Sequence, residues 1–303
     1  MSLRTCISAL AVLACVVARP SAQQPRGLEA ARNAFPVPTT VQVVRDIVYA
    51  EYGERRLKLD VYLPQENGQR SDAPGLLVVR GGNWRFGDKE DYGYIAGQLA
   101  KEGFVAASIE YRTSAEAKFP AAVHDVKAAV RWMRAHAATY GVNPNAIGAI
   151  GGSAGGHLVA MLATSGGVKN LEGAGGNSET SSDVQAVVAM ACACHIEGKA
   201  ASVSEFLGVP PEAFADAIKA ARPTTYVTSR SAPLLLLHSQ TDPVVPFAQS
   251  VEIERLYQRA GAVVALKAIE APDIHTFWYQ ARYFPETIGQ AVDFFRRNLK
   301  QVR

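Results

Sequence analysis

Apolar residues in this chain fall into short continuous runs separated by segments of helical spacing. Residues 75–79 (Gly-Leu-Leu-Val-Val), 104–109, 146–150, 184–191 and 234–237 are each an unbroken or nearly unbroken apolar run of four to eight positions. Such runs mark strands buried on both faces of a sheet rather than strands with one wet face. Between them lie amphipathic stretches. In the helix opened by Pro120, Val123, Val126, Val130, Met133 and Ala137 recur every three or four residues and form one apolar stripe. Residues 92–102, 247–260 and 286–299 carry the same period, and 263–269 is a further strand. The first part differs. Residues 41–50 and 55–63 are β-rich around Tyr52-Gly53-Glu54, with Leu57, Leu59 and Val61 alternating, which predicts an antiparallel hairpin closed by Pro64. Strand and helix then alternate, which predicts an α/β domain with a mostly parallel, doubly wound sheet over residues 41–303. Ligands of such sheets bind beyond the carboxyl ends of the strands.

Residues 146–158, AIGAIGGSAGGHL, form the most informative stretch. An apolar strand stops at Gly151-Gly152, Ser153 follows, and Ala154-Gly155-Gly156 leads into a helix of small residues. The G-x-S-x-G spacing fits a strand-turn-helix elbow that holds a serine in a strained backbone conformation with its hydroxyl exposed. Free N–H groups and the positive end of a helix dipole beside Ser153 would favour a negatively charged oxygen. Arg80-Gly81-Gly82-Asn83-Trp84 follows another buried strand, and its paired glycines let backbone N–H groups approach a ligand oxygen.

A serine hydroxyl becomes a useful nucleophile when a base takes its proton and an acid fixes the tautomer of that base. With the chain order Ser, Asp or Glu, His, the base among six histidines is His275, the one that follows every candidate acid. His124 and His136 lie in the amphipathic helix, His157 in the elbow helix, His195 after a strand and His238 at a buried strand end. Asp242 lies just after the 234–237 strand in a turn stiffened by Pro243 and Pro246. Asp273 is its rival, two residues from His275.

Composition narrows the partners. With 303 residues, 48% apolar, 19% charged and a net charge of +3, the chain buries a large core and has no basic field for nucleic acid. A small molecule or a neutral polymer is the expected partner. Residues 1–22 carry Arg4, an apolar run from Cys6 to Ala18 and small residues near Ala22, the pattern of a secretory signal. The run is short for a membrane span, so the mature protein is expected to be secreted or periplasmic without a stable span. Val12-Leu13-Ala14-Cys15 loosely resembles a lipoprotein box, which would anchor the chain through Cys15. Residues 23–40 read as a linker or N-terminal arm, and about 195–230, helical in patches around Phe206, Leu207 and Phe214, as a small cap. Residues 165–182, rich in Gly, Ser and Asn, read as a surface loop. Cys192 and Cys194 make no disulfide framework, and without a second Cys/His cluster the run Cys192-Ala193-Cys194-His195 is no zinc site. Small residues ending a buried strand account for the pair. An oxidising compartment could join the two, at the cost of backbone strain.

Several motifs in order over residues 41–300 resemble the α/β-hydrolases of the bacterial feruloyl and acetyl-xylan esterase-like (BD-FAE-like) group, near the hormone-sensitive lipase-like esterases. GGNW (81–84) resembles the family's oxyanion loop, GGSAGGHL (151–158) its elbow, SSDVQAVV (181–188) the next strand, TDPVVPFAQS (241–250) the acid loop and HTFW (275–278) the histidine loop. The resemblance implies Ser153 as nucleophile, Asp242 as acid and His275 as base, with N–H groups of Gly81, Gly82 and Ala154 around an oxyanion and no metal or organic cofactor. It further implies a serine carboxylesterase acting on short-chain acyl or feruloyl esters, small or linked to polysaccharide. Three departures bear on substrate choice: Arg80 stands where the family has His, Ser239 where it has Gly, and Cys192-Ala193-Cys194-His195 where it has Gly-Pro-Thr-Asp. Trp84 and Arg80 are expected to face substrate, Arg80 either reading an acidic group or buttressing its loop through a carboxylate. Two other readings keep the same fold: an amide-cleaving relative of the arylformamidase or prolyl-oligopeptidase type, and an inactive carbohydrate-binding protein.

Overall fold

The computed structural model describes residues 27–64, 72–196 and 200–299. The signal segment 1–22, with Cys15, and the first residues of the arm lie outside them. Eight strands form one sheet in the order β1-β2-β4-β3-β5-β6-β7-β8. These are β1 (Val41–Tyr52), β2 (Arg55–Pro64), β3 (Ala73–Val79), β4 (Val105–Ile109), β5 (Val142–Gly152), β6 (Ala186–Met190), β7 (Leu234–Ser239) and β8 (Val264–Ile269). The hairpin β1/β2 and the pair β2/β4 are antiparallel, and every pairing from β4 to β8 is parallel. The mostly parallel sheet expected from the hydrophobic pattern is therefore present, N-terminal hairpin included, as the resemblance to α/β-hydrolases also implies.

Nine helices accompany the sheet among the described residues: α1 (Leu28–Ala34), α2 (Gly93–Lys101), α3 (Ala121–Ala135), α4 (Ala137–Tyr140), α5 (Ala154–Thr164), α6 (Ala201–Leu207), α7 (Phe214–Ala221), α8 (Ala248–Ala260) and α9 (Phe284–Asn298). Because successive residues of a strand point to opposite faces, the apolar runs serve two cores at once. Leu77 and Val79 of β3, with Leu234 and Leu236 of β7, pack among Val126 and Val130 of α3, Leu158 of α5 and Ile253 of α8. Leu76, Val78, Leu235 and Leu237 pack on the other side with Ile95 and Leu99 of α2 and Phe295 of α9. Helix α1 joins this second core through Leu28 and Ala31, and Phe35 lies 4.3 Å from Phe284 between ring centroids.

Two boundaries differ from the pattern. The helix opened by Pro120 stops at Ala135, where His136 Nδ1 lies 2.8 Å from Trp132 O, and the short α4 follows. β5 begins at Val142, four positions before its apolar run, because Ala73 pairs there with Val142. Backbone pairing extends a strand past the residues that side-chain pattern reveals. No helix among the described residues is long and apolar enough to cross a membrane.

Candidate active site

Strand order reverses at β3. Chain progress goes outward from β3 to β4, then returns to place β5 on the other side of β3. The helices after these strands lie on opposite faces, so a crevice opens beyond their carboxyl ends. The loop that follows β3 starts at Arg80, and the turn that follows β5 is Ser153. Ser153 has φ 57° and ψ −120°, a conformation that strains an L-residue. Its N–H donates to Met190 O at 2.8 Å and its carbonyl accepts the His157 N–H at 2.9 Å, so both neighbouring elements hold the strained turn. A Cβ at Gly155 would lie 2.1 Å from Val79 O and 2.4 Å from Arg80 O, a clash only glycine avoids. That closeness brings the start of α5 onto the end of β3. A Cβ on Gly81 would sit 3.3 Å from Ser153 Cβ, so the loop after β3 runs directly beside the serine. Gly82, at φ 102°, turns this loop, its carbonyl accepting the N–H groups of Arg85 and Phe86. Gly81 thus lies beside Ser153, and Ala154, the first residue of α5, follows it at the end where a helix has unpaired N–H groups.

Asp242 comes three residues after the end of β7 and His275 six after the end of β8. Their loops converge on Ser153. Ser153 Oγ lies 2.8 Å from His275 Nε2, and His275 Nδ1 lies 2.7 Å from Asp242 Oδ2. Asp242 receives two further donors at Oδ1, the N–H groups of Val244 (2.8 Å) and Val245 (3.0 Å). A second imidazole, His238, reaches Oδ2 at 3.2 Å. Its Nε2 also lies 3.0 Å from Val245 O, so this nitrogen carries the proton, leaving Nδ1 to accept from Ser250 Oγ at 2.7 Å. Burial alone would raise the carboxyl pKa of Asp242, but hydrogen bonds from His238 and His275, the charge of His275 and the Val245 N–H outweigh it and hold the group well below the usual carboxylate range. An ionised Asp242 keeps the proton of a neutral His275 on Nδ1, leaving the Nε2 lone pair aimed at Ser153. Trp278 flanks the ring at 5.9 Å, edge to face. This arrangement can remove a proton from Ser153 as its oxygen attacks an electrophile.

His238 is the contributor that sequence reasoning passed over as a plain strand-end histidine. Its signal was the spacing of four to Asp242 across a turn.

Arg80 and Trp84, expected to face substrate, are both buried. Arg80 is 3% exposed. Its Nη1 donates to Phe86 O (2.6 Å) and Gly81 O (3.0 Å), and its guanidinium lies 4.1 Å above the Tyr111 ring. Tyr111 in turn donates to Gly81 O at 3.1 Å. Arg80 therefore clamps the glycine loop from beneath, through carbonyls and a ring rather than through a carboxylate. Trp84 is 4% exposed and stacks on Phe206 of α6 at 4.6 Å, with Nε1 donating to His157 Nδ1 at 3.1 Å. His157 Nε2 donates to Ala221 O at 2.7 Å. One buried imidazole thus ties the loop after β3 and the elbow helix to the last residue of α7. Arg85 adds an ion pair to Glu205 at 2.8 Å.

Both bonds of His157 need a neutral ring, and burial pushes its pKa down from 6.5 to about 4. Its folded value is depressed, so the unfolded chain binds the extra proton and stability is complete above about pH 6.5 and lost as pH falls toward 4. At pH 4.5 the loss from this residue is on the order of 2–3 kcal/mol. Chemical denaturation at pH 7 and 4.5 should show a smaller acid loss in His157→Gln, whose amide can still donate and accept. Equal losses in both proteins would mean that His157 is not buried neutral.

Cys192 and Cys194, expected as unbonded small residues, are joined by a disulfide just beyond β6, both fully buried. Their Cα atoms lie 5.1 Å apart, closer than residues two apart in an extended strand. Among the described residues no group of three His, Cys, Asp or Glu could hold a metal ion.

Comparison with known proteins places this geometry. A family model described as BD-FAE matches residues 59–257. Esterase LipQ of Mycobacterium tuberculosis is 32% identical over 260 residues, which cover 82% of this chain and 61% of that protein, so the chain spans about three-fifths of this relative. Among solved structures, a truncated carbohydrate esterase from gut microbiota superposes with a TM-score of 0.76 at 29% identity, over 86% of this chain and 97% of that one. Esterase Est2 of Thermogutta terrifontis with propionate bound gives 0.73 at 26% identity, over 86% and 94%.

Proposed function

Since the chain belongs to the BD-FAE family, we propose that it is a serine carboxylesterase whose nucleophile is Ser153, base His275 and acid Asp242. The observation that carries this reading is the continuous hydrogen-bonded path from Ser153 Oγ through His275 to Asp242 beside the Gly81-Gly82 loop. As Ser153 Oγ attacks an ester carbonyl, His275 Nε2 takes its proton, and the imidazolium forms against the carboxylate of Asp242. The carbonyl oxygen becomes an oxyanion, stabilised by N–H groups of Gly81, Gly82 and Ala154, whose positions are fixed before the reaction. Collapse expels the alcohol, protonated by His275, and leaves an acyl-serine. Water activated by the same imidazole then releases the acid.

Short acyl groups are the proposed substrates, carried by small alcohols or by a polysaccharide, with feruloyl esters as the aromatic alternative. The propionate held by the Thermogutta esterase and the carbohydrate esterase among the similar structures support this range. Residues 1–22 support export, and the Cys192–Cys194 disulfide agrees with an oxidising compartment. Purified protein lacking residues 1–22 should hydrolyse p-nitrophenyl acetate and butyrate, and a fluorophosphonate should label Ser153. Release of acetate from acetylated xylan, measured beside release of ferulate from methyl ferulate, then assigns the acyl group. Failure of every ester together with failure of the label would sink the hydrolase reading.

A further inference from the structure

Burying cations is costly, yet α3 devotes two buried ones and a third, partly exposed, to one loop. Residues 165–185 carry only the short turn Lys169–Leu171 of regular structure, and long loops of this kind are usually functional or disordered. This one is pinned. Lys127 Nζ donates to Ser165 O at 2.8 Å and pairs with Glu172 at 2.6 Å. Arg131 donates to the carbonyls of Glu172 (2.9 Å), Gly175 (3.0 Å) and Gly176 (3.2 Å), and Arg134 to those of Ser181 and Asp183, the latter at 2.7 Å. Lys127 and Arg131 are 1% and 2% exposed. A hydroxyl-rich surface segment is thereby held in one conformation before any ligand arrives, which lowers the entropic cost of binding.

The pinned loop borders two cavities, of about 690 Å³ and about 250 Å³, which lie side by side with Gly167 and Asp183 in both linings and are together called the groove. Across the larger cavity stand Thr225, Tyr226, Thr228 and Arg230; Ser178 and Thr180 line the smaller. Tyr226 gives its hydroxyl to Ala220 O at 2.7 Å, so its remaining offer to the groove is a fixed ring. Asp183 and Glu172 are matched by Arg230 and Arg131, two charges of each sign in the lining, which leaves no net charge to select an ion. Hydroxyls, an aromatic ring and balanced charge suit a neutral, polyhydroxylated chain. The groove lies at the far end of α5 from Ser153, roughly 16 Å along a helix of eleven residues. Ester cleavage does not account for it.

We propose that this groove is a second, non-catalytic binding site for a neutral oligosaccharide. Its occupation does not require Ser153, so the site stands or falls separately from the esterase reading.

Isothermal titration of the protein lacking residues 1–22 with unesterified xylohexaose, cellohexaose and mannohexaose tests it. At least one should bind, equally well after fluorophosphonate treatment of Ser153. Tyr226→Ala should weaken that binding at least about tenfold, with p-nitrophenyl acetate turnover unchanged within about twofold. Asp183→Arg provides a second block, at an exposed position whose carbonyl makes the hydrogen bond to Arg134 while its carboxylate favours the charged forms of Arg134 and Lys127. It should give the same loss of binding with a cooperative melt retained, at a lower melting temperature. Absence of binding by all three sugars, binding indifferent to both folded variants, or binding abolished by the fluorophosphonate would each overturn the proposal.

Discussion

Replacing Ser153 by alanine is expected to lower kcat on p-nitrophenyl acetate by about 10⁵- to 10⁶-fold, the loss typical of removing a serine nucleophile whose base and oxyanion donors remain. The fold should survive. Ser153 Oγ makes its one hydrogen bond to His275, while the backbone of the turn is held by Met190 O and the His157 N–H, which alanine keeps. A second variant separates chemistry from strain. At φ 57° and ψ −120° any Cβ is unfavourable, so Ser153→Gly should be as inactive as Ser153→Ala but more stable than it by about 1 kcal/mol. Stopped assays and urea melts of both variants measure the two effects. A glycine variant no more stable than alanine would mean that the turn is not strained, and retention of even one-hundredth of the activity would remove Ser153 from the proposed mechanism.

Much of this arrangement could be read from the chain because parallel strands buried on both faces leave unbroken apolar runs. Leu234 to Leu237 serve both cores alternately, so no polar position interrupts them. The elbow was legible for a related reason: Gly155 answers a local demand, the approach of α5 to β3, that no other residue meets. What escaped was the direction in which single side chains point. Trp84 was expected to face substrate, but its partners His157 and Phe206 lie far along the chain, and no local pattern announces a stack and a hydrogen bond made across the fold. Arg80 escaped likewise. A guanidinium in a loop suggests a carboxylate or a substrate anion, whereas here carbonyls of Gly81 and Phe86 and the Tyr111 ring surround it. The cations of α3 sit on positions that helical spacing treats as ordinary, and only the folded loop shows that Lys127 and Arg131 are buried beneath it.

The choice between Asp242 and Asp273, left open by chain order, leads to a second large effect. Asp242→Asn should reduce kcat about 10⁴-fold with little change in KM. An amide at that position can donate to Nδ1 of His275, which stabilises the tautomer whose Nε2 carries the proton and cannot accept one from Ser153. The backbone donors at Val244 and Val245 lose a charged acceptor but keep an amide oxygen, so the loop should hold. Asp273 contributes differently. Its N–H donates to Thr241 Oγ1 at 2.8 Å, its side chain is exposed and its φ is 57°. Asn and Gly both tolerate that conformation, so Asp273→Asn and Asp273→Gly should stay within about threefold of the parent activity, whereas Asp273→Ala would add backbone strain unrelated to charge. His238 supplies an internal control, because it reaches the same Asp242 oxygen as His275 and has no hydrogen bond to Ser153. If Asp242 works by holding an ionised carboxylate against His275, removing the second donor with His238→Phe should cost activity by a smaller factor than Asp242→Asn. Full activity in Asp242→Asn, with loss in Asp273→Asn, would reverse the assignment and require the 270–276 loop to rearrange when substrate binds.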